Sequence, residues 1–467
     1  MTRRTRILLL GILAALSEAA WLEVWHHNSA LAPLGGTSPM ATLSWVLAAG
    51  LLYLTAFWVV WKPYAPGANA PTANPNRSPA AELWLIVVSA VLFRLTTLPI
   101  SPALSPGLLR ARWEGWIQSF YPPFNPYEFA PVNSIFRPIQ SRFYAGVPHP
   151  VIAALHPPLT EWLYRWVFAL SPHLLGEKLF YAAFDLLTIW TLTALLRQRG
   201  QPAARVLVYA WAPLSVLETT AGHAGVIAVF FLVLAFYLAG RQDRISGLAL
   251  GLAIGLEGLP LLLLPAWMAK ARKRRWIWLA LPIVLGSLPY LIIQKRFFLL
   301  FWLRNLRAYA AGVYAGRASG MTLLTHALRF TGHAFPPALA MLAMAAVLTG
   351  VALQSRPGRP LAGDYPRQIY WILGALLLLA PRVTPAHVLW ILPWLALEPV
   401  LAWVYFTLGV LLTYHLLAGT YLPLSASYNR LWLFCEYAPL YVLLAIMGMR
   451  KWRKRSQPLK PAAVHHG

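Results

Sequence analysis

The sequence predicts an all-α integral membrane protein of about twelve transmembrane helices, with a re-entrant half-helix pair and interfacial helices in its first large outer loop. Three observations predict it. Hydrophobic residues make up 59% of the chain and charged residues only 11%, where an ordinary soluble domain carries roughly 25% charged residues. Apolar stretches long enough to cross roughly 30 Å of hydrocarbon recur from end to end, among them Leu83–Ile100, Lys178–Leu196, Trp276–Ile293 and Leu431–Gly448. Of the 39 Lys and Arg, 24 fall in the short segments 1–6, 62–82, 197–205, 241–244, 270–275, 355–368 and 450–460. With the N-terminus inside, all these segments reach the same side, as the positive-inside rule requires. The same clustering argues against reading the net charge of +25 as nucleic-acid binding, which needs a soluble basic face with a reading element.

The elements follow in order. Arg3-Arg4-Thr5-Arg6 precedes an apolar run that continues through Trp25 without a good small-residue cleavage site. It reads as a first membrane helix, not a signal peptide. Helices near 7–25 and 40–61 form a hairpin, and with the cytoplasmic linker 62–82 they make an N-terminal unit, 1–82. The main transmembrane domain, 83–449, begins with a helix near 83–100 that exits into the extracytoplasmic loop 101–160. A short apolar segment at 159–170 lies at the interface or enters only in part, and full spans follow near 177–196, 204–221 and 223–240. Basic segments flank 245–269 on both sides, so this stretch enters and leaves from the cytoplasm, with Pro260 dividing two half-helices. Spans near 276–293, 335–353, 369–381, 386–398, 399–421 and 432–449 complete the domain, a second outer loop covers 294–320, and the tail 450–467 is basic and cytoplasmic. The single cysteine, Cys435, excludes an intrachain disulfide.

Both outer loops are chemically distinctive. In the first, Leu109, Trp113, Trp116, Ile117 and Phe120 share one helical face, and Arg110, Glu114 and Gln118 form a polar stripe four residues apart. That pattern predicts an amphipathic helix lying at the bilayer surface. The second holds Lys295, Arg296, Arg304, Arg307 and Arg317 without one Asp or Glu. Either an anionic ligand headgroup or docking to anionic lipid accounts for that basicity. Only 14 residues are acidic. Asp185, Glu218, Glu257 and Glu436 fall inside apolar stretches, where a carboxylate is costly and is usually paired or functional. Glu82, Glu114, Glu128, Glu161 and Glu177 lie near helix mouths. The chain has no Asp-x-Asp, no His pair at helical spacing beside a carboxylate and no Gly-rich phosphate loop. It therefore offers no metal, nucleotide or other cofactor motif.

The run Ser105-Pro106-Gly107-Leu108-Leu109-Arg110-Ala111-Arg112-Trp113-Glu114-Gly115 is followed by Asn125-Pro126-Tyr127 and His156-Pro157-Pro158-Leu159. Then come Tyr209-Ala210-Trp211-Ala212-Pro213-Leu214 with Glu218 and His223, and late in the chain Glu436-Tyr437-Ala438-Pro439. In order and spacing this set resembles, in divergent form, the bacterial GT-C polyprenyl-phosphate-sugar glycosyltransferases, mannosyltransferases among them. The resemblance implies a GT-C-like membrane fold in the cell inner membrane, with both termini cytoplasmic. It implies transfer of a sugar from a polyprenyl-phosphate donor to a glycan or lipid acceptor hydroxyl, with inversion and without a cofactor. The chain departs from the pattern where the family's paired acids align with Pro106 and Gly107, its Asp with Gly225, its Lys with Glu257, and its late His-Pro with Thr384-Pro385, His387 being displaced.

Such chemistry needs a carboxylate to take the hydroxyl proton and cations to stabilise the departing phosphate. Glu114, inside the first motif, is the expected base, and an ion pair with Arg110 is its structural alternative. Arg110, Arg112, Arg304 and Arg307 are the expected phosphate ligands, and Asn125, Tyr127, His156 and His223 complete the expected substrate site. Two other functions remain open: a catalytically inactive relative that serves as a lipid-binding or scaffold protein, and a transporter. A transporter predicts paired repeats with matching broken helices, and only one such break is readable.

Overall fold

The computed structural model describes residues 1–28, 39–62, 80–100, 107–120, 124–139, 144, 146–269, 275–294, 297–315, 337–356, 358–380, 383–414 and 426–456. Ser105, Pro106, Lys295, Arg296, Arg317 and most of the linker 62–82 lie outside them. The described residues form helices and no β-strand. Among the described residues, five helices are long and apolar enough to cross a membrane: Arg3–Asn28, Met40–Trp61, Ala80–Thr97, Leu174–Gln198 and Leu431–Arg450. The other apolar helices fall below that length over the residues described in full, or are broken, so the expected count of about twelve rests on the sequence.

Helices α1 (Arg3–Asn28), α2 (Pro39–Trp61) and α3 (Ala80–Thr97) pack together. Arg6 bonds Glu82 at 2.7 Å and donates to the Val60 carbonyl at 2.8 Å. The start of α1, the end of α2 and the start of α3 therefore share one end of the bundle, rich in cations, as a hairpin followed by a third crossing requires. At the opposite end, Lys178 donates to the carbonyls of Leu98 and Ile100. This brings the start of α6 (Leu174–Gln198) back to the end of α3. The long segment between them leaves and returns at that same end. Arg94, buried within α3, bonds Asp185 of α6 and the Ala210 carbonyl, which neutralises a charge that hydrocarbon would penalise.

Within the loop segment, α4 (Gly107–Ile117) packs on α5 (Pro158–Leu170). The expected span 204–221 is interrupted: α7 (Leu207–Ala210) stops before Pro213, which opens α8 (Pro213–Ala221) at its first turn. Proline lacks an N–H and disfavours helix at the residue before it, and Ala212 is extended, with ψ 126°. Gly222 ends α8 at φ 66°, in the left-handed region that glycine adopts readily. His223 is extended, and α9 (Ala224–Leu238) begins. Every residue of α8 is buried. This broken hairpin forms the centre of the bundle, surrounded by α3, α6 and α10 (Asp243–Leu256).

The stretch 245–269 does double back. After α10 the chain runs through a 3-10 turn, Leu259–Leu263, into α11 (Leu264–Met268). Trp267 returns to the level of Ser246, to whose hydroxyl it donates at 3.0 Å. The break lies at Glu257–Gly258, not at Pro260. Glu257 is extended, with φ −140° and ψ 133°, while Pro260 sits inside the 3-10 turn. Proline is accommodated in the first turn of a helix, so here it follows the break instead of making it. The later elements are α12 (Arg275–Gln294), α13 (Phe297–Ala315), α14 (Pro337–Gln354), α15 (Tyr365–Leu379), α16 (Pro385–Leu389), α17 (Leu392–Leu397), α18 (Leu401–Gly409) and α19 (Ala426–Ser456). The expected span 386–398 is thus two short helices. In contrast, α12 continues through Pro282 and Pro289.

Candidate functional site

Two clusters of polar side chains form at the loop end. The first lies between α4 and α5. Arg110 donates through Nε to Glu114 Oε1 at 2.6 Å and through its terminal nitrogens to the carbonyls of Ile152 at 2.8 Å and His149 at 3.3 Å. Glu114 is only 1% exposed. Glu161, on α5, is buried facing it, and Gln118 Nε2 donates to Glu161 Oε2 at 3.3 Å. Burial first, and then the negative charge of Glu114, pushes the Glu161 carboxyl well above the usual carboxylate range, against the opposing pull of Arg110. Arg110 is the cation that faces these two carboxyl groups.

The polar stripe expected to face away from the aromatic face is therefore turned into the protein. Trp113 and Ile117 are buried too, so α4 is enclosed on both faces instead of lying free on a bilayer surface. Arg112 is likewise engaged, bonding Glu177 at 3.1 Å and the Pro172 carbonyl at 2.8 Å. Asn125 accepts from the Tyr127 backbone N–H at 3.0 Å, a local turn. Tyr127 is fully buried, donates its hydroxyl to the His156 carbonyl at 2.8 Å, and meets Tyr290 and Phe298 edge-on. Burial raises its phenol above the usual range. Asn305 of α13 holds the carbonyls of Tyr127 and Ala154 at 2.9 and 3.2 Å. These residues fix the loop to the bundle.

The second cluster gathers where helices break. His156 precedes α5, His223 separates α8 from α9, Glu257 ends α10, and His387 lies in the first turn of α16. His156 Nδ1 stands 3.9 Å from Glu257 Oε1, and the two side chains are 34% and 27% exposed. His223 Nε2 stands 3.8 Å from Glu218 Oε2 and lies within electrostatic reach of both His156 and His387. The backbone N–H and hydroxyl of Thr384 contact Nδ1 of His387 at 3.2 and 2.7 Å in a capping box, which orients its ring. Gly107, at the start of α4, lies so close to the His223 ring that no Cβ fits between them, and Leu108 rests on Gly222. The first motif of the loop therefore sits on the second histidine motif.

His156 and His223 of the expected substrate site come together here. Asn125 and Tyr127 lie behind His156 in the supporting layer. Arg304 and Arg307 are elsewhere, exposed on α13. Glu257 and His387 were absent from the expected site. An acid set between Gly255 and Gly258 was the readable signal for Glu257; for His387 there was only its displacement from the Thr384-Pro385 motif. Among the described residues no three His, Cys, Asp or Glu side chains are grouped to hold a metal ion. The geometry offers a part-exposed imidazole–carboxylate pair beside two further imidazoles, under a loop held by buried ion pairs. No family model, curated protein or solved structure matches the chain, so the function must be argued from this arrangement alone.

Proposed function

We propose that the protein is a membrane glycosyltransferase that moves a sugar, mannose among the candidates, from a polyprenyl-phosphate donor to a hydroxyl of a glycan or lipid acceptor. The single observation that carries this reading is convergence: the loop motif at Gly107, His156 before the paired prolines, and His223 meet at the helix breaks although they are far apart in the chain. A lipid-linked donor needs such a site, made of side chains from discontinuous helices and reachable from within the bilayer. In this reading the chain crosses the bacterial inner membrane about twelve times with both termini in the cytoplasm. The loop end is extracytoplasmic, and Arg304 and Arg307, exposed on α13, stand apart from the histidine cluster.

The test is direct. Membranes rich in the protein, given a radiolabelled polyprenyl-phosphate hexose, should transfer the label to endogenous acceptor and release polyprenyl phosphate faster than membranes lacking it. Engagement of Arg110, Arg112 and Glu114 in buried ion pairs favours a second reading, a lipid-binding scaffold relative. Saturable binding of the labelled lipid without transfer would select that one.

A further inference from the structure

We infer that Glu257, assisted by His156, is the group that accepts the acceptor hydroxyl's proton, and that Glu114 has a supporting role. This rests on the transferase reading above. A general base must reach the hydroxyl within hydrogen-bonding distance, directly or through one water. Glu114 is 1% exposed, with one oxygen bonded to Arg110 and the other buried. Its charge is paired with Arg110 through one oxygen, the other has no hydrogen-bond partner, and neither is open to an incoming hydroxyl. Glu257 is opposite in each respect: its side chain is 27% exposed, it faces an imidazole, and it occupies an extended link between two helical segments.

The pair is also held in place, as a reacting group must be. The hydroxyl of Thr160 donates to the Leu256 carbonyl, pinning α5 to the residue before Glu257. Leu159 fills the space left by the absent side chains of Gly255 and Gly286, with contacts of 2.9 and 3.1 Å from the positions a Cβ would take. Tyr127 holds the His156 carbonyl from behind. The backbone at His156 and that at Glu257 are thereby held at a fixed separation as long as α5 stays in the groove between α10 and α12.

The step balances as follows. The acceptor oxygen attacks the anomeric carbon on the face opposite the phosphate, and a new C–O bond forms. The bond from that carbon to the phosphate oxygen breaks, and its electron pair leaves with the polyprenyl phosphate. The hydroxyl proton passes to Glu257, with His156 able to share it, and then to water. Configuration inverts, and neither oxidant nor reductant is required. His223 lies within electrostatic reach of His156 and His387 in the same cluster.

The experiment compares Glu257→Gln, Glu257→Asp, His156→Ala and Glu114→Gln in the full chain. It measures label transfer, binding of the same labelled lipid, and thermal unfolding. Glu257→Gln should lower transfer about 100-fold or more while lipid binding and unfolding stay at wild-type values. Glu257→Asp should recover part of the rate, and Glu114→Gln should shift unfolding more than transfer. Unimpaired transfer by Glu257→Gln, or a larger loss in Glu114→Gln at equal stability, overturns the assignment of the base alone. A wild-type protein that leaves the label on its carrier overturns the transferase reading and this inference with it.

Discussion

At the scale of single residues, the carboxyl pair at Glu114 and Glu161 has a consequence for stability. Glu161 keeps its proton in the folded protein well above the ordinary value of 4.5, because burial and Glu114 disfavour its charge. The unfolded chain releases that proton near the ordinary value, so the pair contributes its full stability below it. That contribution falls as pH rises toward the folded value. Glutamine copies a protonated glutamate, donating to Glu114 and accepting from Gln118. Glu161→Gln should therefore melt a few degrees above wild type at neutral pH, with the gain vanishing below pH 4.5; an equal gain at both pH values would refute the raised Glu161 carboxyl. The Arg110–Glu114 contact was legible, since four-residue spacing on a helix places such side chains together. What spacing could not tell was that both would be covered by α5, because burial belongs to the packing of distant segments.

At the scale of elements, the breaks matter more than the helices. Pro213 and Pro385 each open a helix, yet Pro282 and Pro289 lie inside one. Proline removes one donor and crowds the preceding turn, but neighbouring helices decide whether the chain stops there. This is why 204–221 and 386–398 read as continuous spans and are not, and why the turn at Glu257 was expected three residues later. The seam between α4 and α5 gives a sharper test. A Cβ on Gly115 would lie 2.5 Å from the Tyr164 carbonyl and 2.8 Å from Phe168 Cβ. Gly115→Ala should thus destabilise the protein by about 1–3 kcal/mol through overpacking, read as earlier thermal unfolding. Alanine favours helix over glycine, so a gain in stability would mean that α4 and α5 do not meet this closely.

At the scale of the whole molecule, the class of fold was legible because solvent dictates it. A chain with so little charge and so many long apolar runs must satisfy its backbone internally, and the described elements are helical. The number of crossings was less legible, because hydropathy counts apolar residues and does not register where a helix ends. Side assignment can be tested with the one cysteine, exposed Cys435, replaced by serine. Val132 in the loop segment is 48% exposed, and Val132→Cys in that background should react with an impermeant maleimide on intact cells. Labelling that appears only after the membrane is opened would put the loop, and the proposed site with it, in the cytosol.

The enclosed guanidinium of Arg94 bears on how the chain is made. During synthesis the third helix emerges long before Asp185 and the Ala210 carbonyl exist to receive it. An unpaired arginine within a span is costly to insert, and Arg94, in the last turn of its helix, is fully seated only once its later partners have been translated. The third helix and the later segments that carry Asp185 and Ala210 are consequently not separable modules. A nascent chain halted between them would carry an unmatched cation, marking it for the cell's quality control.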